Sequence, residues 1–256
     1  HTRRRVPAPH GKADPGMRSL ELAKRNLREV WRDPLSLGLT FGLTLAMFLV
    51  LQALQNVEDL FSPTNLAPGI VLFGFVMLMF SAAMTLSRDR ESALFDRLLT
   101  APLRAGDFVA AYSLPYLPVA IFQAIAIYAI AAILGLEMNG SWLLVSLVLL
   151  VMALLYIALG MILGAMFTIR QIPFIYTAVM LLTIFGGAWM DLEAIGGVFE
   201  SAGRIFPFAH ALDAVRGIML DGAGFGDIAA DFIWVVAYTM VAIVAAVLVF
   251  RRRLTE

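Results

Sequence analysis

The chain is organised by long apolar stretches separated by short charged ones. Leu35–Gln55, Ala67–Ser87, Phe108–Leu136, Trp142–Ile169, Ile172–Met190 and Phe232–Phe250 contain no Asp, Glu, Lys or Arg. A membrane span needs about 20 apolar residues, and a Lys or Arg at its centre costs ~2.5–3.5 kcal/mol on insertion scales. The pattern therefore predicts six transmembrane helices within residues 35–250.

The charges between these stretches predict an orientation. All but Arg204 and Arg216 of the 19 Lys and Arg fall in the leading segment, after span two, after span four or at the chain end. The loop after span one carries Glu58 and Asp59 without a base, and the loop after span three only Glu137. Basic loops face the cytoplasm, which puts both termini there, with residues 251–256 as a basic cytoplasmic tail.

Three segments outside the spans carry further pattern. In residues 17–34, Leu20, Ala23, Leu27 and Val30 recur at helical spacing, while Lys24, Arg25, Arg28 and Arg32 lie among the remaining positions. That predicts an amphipathic helix at the inner membrane interface, ending at Asp33-Pro34. It serves as a plain anchor or as a contact for a partner.

Within residues 88–107, a short helix is expected from Glu91 to Ala101, with Leu94, Phe95, Leu98 and Leu99 on one face and Arg90, Asp96 and Arg97 on the other, stopped by Pro102. An interfacial connector is the simple reading; a docking element is the other. In the outside segment, residues 191–228, Ile195, Val198, Phe199, Ile205 and Phe206 are too apolar for a solvated loop and predict a reentrant stretch. After Pro207, Phe208, Leu212, Val215 and Met219 recur at i, i+4, i+7 and i+11, the spacing of an amphipathic helix.

Composition agrees with the spans. Of the 256 residues, 61% are hydrophobic and 15% charged, with a mean hydropathy of +0.84, against about 25% charged in soluble domains. No sizeable soluble domain fits beside six spans. The leading residues 1–16 have Arg and Pro but no apolar core, so they are expected to be an appended or disordered tail rather than a signal peptide, with Met17 as the start.

The chemistry motifs are mostly absent. Gly11-Lys12 is followed by Ala13 and lacks the upstream glycine of a phosphate-binding loop, and no HExxH, CxxC or GxSxG occurs. With 0 Cys, and His only at positions 1, 10 and 210, no metal or catalytic set is expected. The glycines of 222–226 follow no strand and read as a turn. An ion-driven transporter would bury acids or bases in its spans; here Gln123 is the one strongly polar side chain near mid-span, read as an interhelical hydrogen bond or, alternatively, a contact to a transported molecule. Thr177, Thr183 and Tyr176, with Gly186-Gly187 near the outer end, make span five the favoured pore-lining helix.

The basic amphipathic helix, six spans with both ends inside, the charged helix after span two and the reentrant segment before span six together resemble the type-two ABC exporter permeases, whose fold is all-α and polytopic. The segment Glu91-Ser-Ala-Leu-Phe-Asp96-Arg-Leu98-Leu99-Thr100-Ala-Pro102 is similar to that family's ExGTLExLLxTP signature, with Ala93 where Gly is common and Leu94 where Thr is common. The resemblance covers roughly residues 20–253.

It implies a half-transporter of a bacterial inner membrane, pairing with a second copy or a homologue and with two cytoplasmic P-loop ATPase subunits that bind the ATP and Mg this chain does not. Arg90, Glu91, Phe95, Asp96, Arg97, Leu98 and Leu99 would belong to the coupling helix; Lys24, Arg25, Arg28 and Arg32 to the connecting helix; Met77, Phe80, Met84, Tyr176, Met180 and Thr183 to the translocation path. The cargo expected is hydrophobic or amphipathic, a drug, lipid or lipid-linked molecule moving outward. The rival readings are a membrane scaffold or sensor that transports nothing, and an intramembrane enzyme, for which no nucleophile and base can be named.

Overall fold

The computed structural model describes residues 15–54, 61–91, 105–189 and 196–255. Among them the chain is helical throughout: α1 Pro15–Arg32, α2 Pro34–Gln52, α3 Pro63–Arg90, α4 Ala105–Ser113, α5 Tyr116–Ile133, α6 Trp142–Met166, α7 Ile172–Thr183 continued by a π-helical segment Ile184–Ala188, α8 Gly197–Gly203, α9 Pro207–Asp221 and α10 Phe225–Thr255. Four stretches are long and apolar enough to cross a membrane, namely α3, α4 with α5, α6, and Phe225–Arg252 of α10; Thr40–Gln52 and Ile172–Ala188 are shorter apolar helices.

The boundaries have local causes. Pro63 sits in the first turn of α3 and Pro207 in that of α9, where a missing N–H costs nothing. Gly222 ends α9 in the left-handed conformation at φ 68°, its αL geometry available to glycine without a Cβ clash. The stretch expected as one third span is broken at Leu114-Pro115 into α4 and α5. Pro115 has no N–H to offer, and the residues on both sides of it are uncharged from Phe108 to Leu136, so the charge pattern carries no trace of the break.

Helix α3 is the hub. It is buried along most of its length, from Pro63 to Asp89, and α2, α5, α6 and α7 pack around it. Its closest neighbour is α6, where Gly160 and Gly164 form a Gly-x-x-x-Gly pair. A Cβ on Gly160 would stand 2.7 Å from the Met79 carbonyl oxygen, and one on Gly164 2.7 Å from that of Ala83. With no hydrophobic drive between helices inside lipid, such close backbone approach is what holds them.

One polar group near the middle of the bundle is tied to its neighbour through its amide nitrogen, while its oxygen has no hydrogen-bond partner among the described residues. Gln123 of α5 donates from Nε2 to Thr44 Oγ1 of α2 at 3.3 Å, and Thr44 in turn donates to the Thr40 carbonyl at 2.6 Å. Gly74 makes room for this amide, since a Cβ there would collide with it. The interhelical hydrogen bond is thus the observed state of Gln123.

The two ends of the bundle differ. At one end, α9 lies across α3, α6 and α10 with Phe208, Leu212, Val215 and Met219 all buried. Arg216 reaches back from it to the carbonyls of Asn65 at 3.2 Å and Ala188 at 3.5 Å. His210 Nδ1 meets Asp231 at 2.6 Å, and Trp234 and Tyr238 both donate to the Ile205 carbonyl, so α8 and its following turn are tied to α10. Burial pushes the Asp213 carboxyl up, against the pull of Arg204 and Arg216 beside it. At the other end lie α1, α4 and the C-terminal turns of α3 and α10, with Phe108 stacked on Phe250 at 5.9 Å.

Candidate coupling junction and translocation seam

The stretch expected to form the coupling helix leaves the described residues after Glu91 and re-enters at Ala105; Phe95, Asp96, Arg97, Leu98 and Leu99 lie outside them. What the structure describes is the frame that holds both ends. Arg90 closes α3, half-buried, and Glu91 follows it with an exposed side chain whose Oε1 accepts from the Ile169 N–H at 3.4 Å. One turn earlier, Ser87 Oγ donates to the Phe167 carbonyl at 3.0 Å. The α6–α7 turn is therefore strapped to the end of α3.

The other side of this frame is α1. Leu22, Ala23, Asn26 and Val30 turn inward, and α1 packs on α4. Asn26 Nδ2 donates to the Ala111 carbonyl at 3.3 Å. Arg25 alone of the four basic residues singled out on α1 points into the protein. Its Nη2 donates to Asp89 Oδ2 at 2.9 Å, and Tyr112 Oη donates to the same oxygen at 2.6 Å. Asp89 is 8% exposed. Three helices, α1, α3 and α4, thus meet on one carboxylate.

The electrostatics explain why a carboxylate is tolerated there. Asp89 stands at the C-terminal end of α3, where the helix dipole disfavours negative charge and favours the flanking Arg88 and Arg90. Arg25 supplies the compensating charge. Burial pulls the Arg25 guanidinium down, but Asp89, Tyr112 and Glu29 together more than offset this and hold it above its ordinary value. Lys24, Arg28 and Arg32 lie on the exposed side of α1.

Most of the residues expected to line a path fall on a seam between α3 and α7. Met77, Phe80 and Met84, half-buried, occupy one stripe of α3. Opposite them, the Tyr176 ring lies 4.8 Å from that of Phe80 and its hydroxyl 3.1 Å from Met77 Sδ. Met180, one turn on, is half-buried as well. Thr183 departs from the set: it is 1% exposed and turned to α6, where its hydroxyl meets Tyr156 Oη at 2.7 Å. Its role here is to pin the end of α7 just before Gly187, which at φ 97° bends the chain out of helical geometry.

A cavity of about 100 Å³ lies between α1, α2, α3 and α5 and reaches Phe80 and Met84 of the seam. Glu29 and Asp33 lie on it from the α1–α2 joint, Phe80, Met84 and Arg88 from α3, and Tyr116 from α5. Asp89 and Tyr112 were not foreseen from the sequence. The only signal was an acid placed between two arginines at the end of a span. Gly160 and Gly164 had a signal, the four-residue spacing of glycines within an apolar run.

These features define a polytopic α-helical membrane protein with a polar frame at the two ends of the 92–104 segment. The ABC-2 type transporter family model matches residues 19–220, and the chain belongs to that family. It is a membrane permease subunit of an ABC transporter, a class that associates with ATPase subunits. No curated protein matches it.

Proposed function

We propose that the chain is the half-transporter of an ATP-driven exporter, with six spans, both termini cytoplasmic and a bacterial inner membrane as its setting. Two copies, or one copy and a homologue, combine with two P-loop ATPases that bind ATP and Mg. ATP-driven closure of the ATPases pushes the Glu91–Ala101 segment; the frame of α1, α3 and α4 passes the push to the spans, and the seam alternates between two openings. The apolar seam suits hydrophobic or amphipathic cargo over a small ion, because its stripe offers Met, Phe and Tyr and no charge.

The observation that most supports this reading is the shared Asp89 carboxylate. Arg25 and Tyr112 reach it from α1 and α4, so a displacement at either end of the 92–104 segment acts on three helices together.

Co-purification in mild detergent tests it, with wild type beside the Asp96→Ala/Arg97→Ala variant. The expected result is a P-loop ATPase held by wild type and lost by the variant, whose spans remain folded. An ATPase absent from both, while chemical cross-linking in intact membranes also captures none, would favour the scaffold reading.

A further inference from the structure

Helices α5 and α6 both pack on α3, yet they stand apart from each other along one flank. The groove between them measures about 290 Å³ and has α5 and α6 as walls and Phe75 of α3 as floor. It exists because the wall residues are small where the helices would otherwise close: Ala120 and Ala124 on α5 face Ser146 and Ala153 on α6. Apart from the Ser146 hydroxyl and the tips of two aromatics its surface is apolar, so it does not hold ordered water.

Its dimensions and position say what fills it. Trp142, the first residue of α6, forms one end, with Tyr128 set edge-on to it at 5.6 Å and 89°. The Tyr128 hydroxyl points away, to Met219 Sδ at 3.7 Å, and leaves the ring to the groove. An exposed Trp at the first position of a membrane-crossing helix marks the headgroup level of a bilayer. From there the α6 wall runs to Ala153, which at the helical rise is about 16 Å, close to half of the ~30 Å hydrocarbon core. The groove therefore begins at one interface and ends near the midplane, the depth of a single leaflet. Its mouth opens between exposed Ile121, Ile125 and Leu150, on helices that themselves cross the membrane.

We propose that this groove is a binding site for one acyl chain of a phospholipid from the leaflet at which α6 begins. The chain supplies the van der Waals partners that a void would deny its lining and keeps α5 and α6 at their observed separation. The floor gives the site a structural reach, because the Phe75 ring lies 6.4 Å from that of Tyr156, the partner of Thr183 at the end of α7. The proposal rests on the membrane-crossing helices and is independent of cargo and direction.

The full chain in phosphatidylcholine nanodiscs, doped with a phosphatidylcholine carrying a mid-chain diazirine, tests it by photolysis and mapping of adducts. Lipid that merely surrounds the protein reaches Ile121, Ile125 and Leu150. A chain seated in the groove also labels Phe75, 1% exposed, and Tyr128, 7% exposed. Adducts confined to the rim overturn the proposal, whether lipid or a second polypeptide covers the flank. In the Ala124→Leu/Ser146→Leu variant, whose larger side chains fill the groove from its half-buried and exposed positions, the floor adducts are expected to be lost while the rim adducts persist. Floor labelling that survives in this variant also overturns it. The wild-type arm decides the matter alone should the filled variant fail to fold.

Discussion

Helices α3 and α7 lie along the same seam and are made of similar residues, yet they are held in opposite ways. Around α3 the packing is nearly complete, with backbone touching backbone at Gly160 and Gly164 and its last turn bound into the junction through Ser87 and Asp89. On α7 only Ile172 and Thr183 are buried. Its far side, with Phe174, Leu181, Leu182 and Phe185, is exposed within the chain. The difference is one of support: α3 is enclosed by its neighbours, while α7 leaves most of its surface uncovered within the chain.

Substitutions can break this contrast, and the largest effect belongs to the α3–α6 contact. Leu at Gly164 would drive its side chain into the Ala83 carbonyl and Leu86 Cβ. Thermal unfolding in detergent should show a loss of about 3 kcal/mol or no folded chain at all, the upper range for overpacking. A loss under a tenth of that would mean the two backbones are not in contact.

Next in size is the junction. Asp89→Ala leaves the buried Tyr112 hydroxyl without this acceptor and Arg25 with Glu29 as its ion-pair partner among the described residues. The expected cost is about 2 kcal/mol, the usual range for orphaning a buried hydrogen-bonding group, read from the same melts. Transport-coupled ATPase activity should fall further than stability does. A variant that is equally destabilised but fully coupled would confine Asp89 to a packing role.

The smallest effect is expected on α7. Phe174, 80% exposed, contributes little to the isolated chain, and Phe174→Ala should shift stability by less than about 0.5 kcal/mol. If the proposed pairing of copies uses this face, cross-linking between them should nonetheless change, because the far side of α7 is uncovered within the chain. Stability falling as far as in Asp89→Ala would show that α7 is held within the subunit after all.

The same contrast explains what the sequence made legible. Periodicity read one-sided surfaces well. The face of α9 through Phe208, Leu212, Val215 and Met219 was visible because polar residues separate its apolar ones, and the end of α1 because Asp33-Pro34 closes it. Gly186-Gly187 is a visible pair of small residues in the sequence, and it stands where α7 ends irregularly with Gly187 at positive φ. Where both sides of a helix are apolar the pattern is silent, so the Leu114-Pro115 break was read through as one span. Long-range polar pairs leave no periodic trace: Arg25 and Asp89 are 64 residues apart, and each alone reads as an ordinary interfacial charge. Among the residues expected to form the coupling helix, Arg90 and Glu91 are seen at the edge of the frame; the remainder lie outside the described residues.

The joint between α1 and α2 has a mechanical corollary. One residue, Asp33, separates the helices, and hydrogen bonds cross it from both sides: its N–H donates to the Val30 carbonyl at 3.3 Å, and its carbonyl accepts from the Leu37 N–H at 3.1 Å. A single residue offers only two soft torsions, so α1 has almost no freedom to slide relative to α2. A displacement of α1 is therefore delivered to the first turn of α2, the helix whose Thr44 further on accepts from the Gln123 amide of α5.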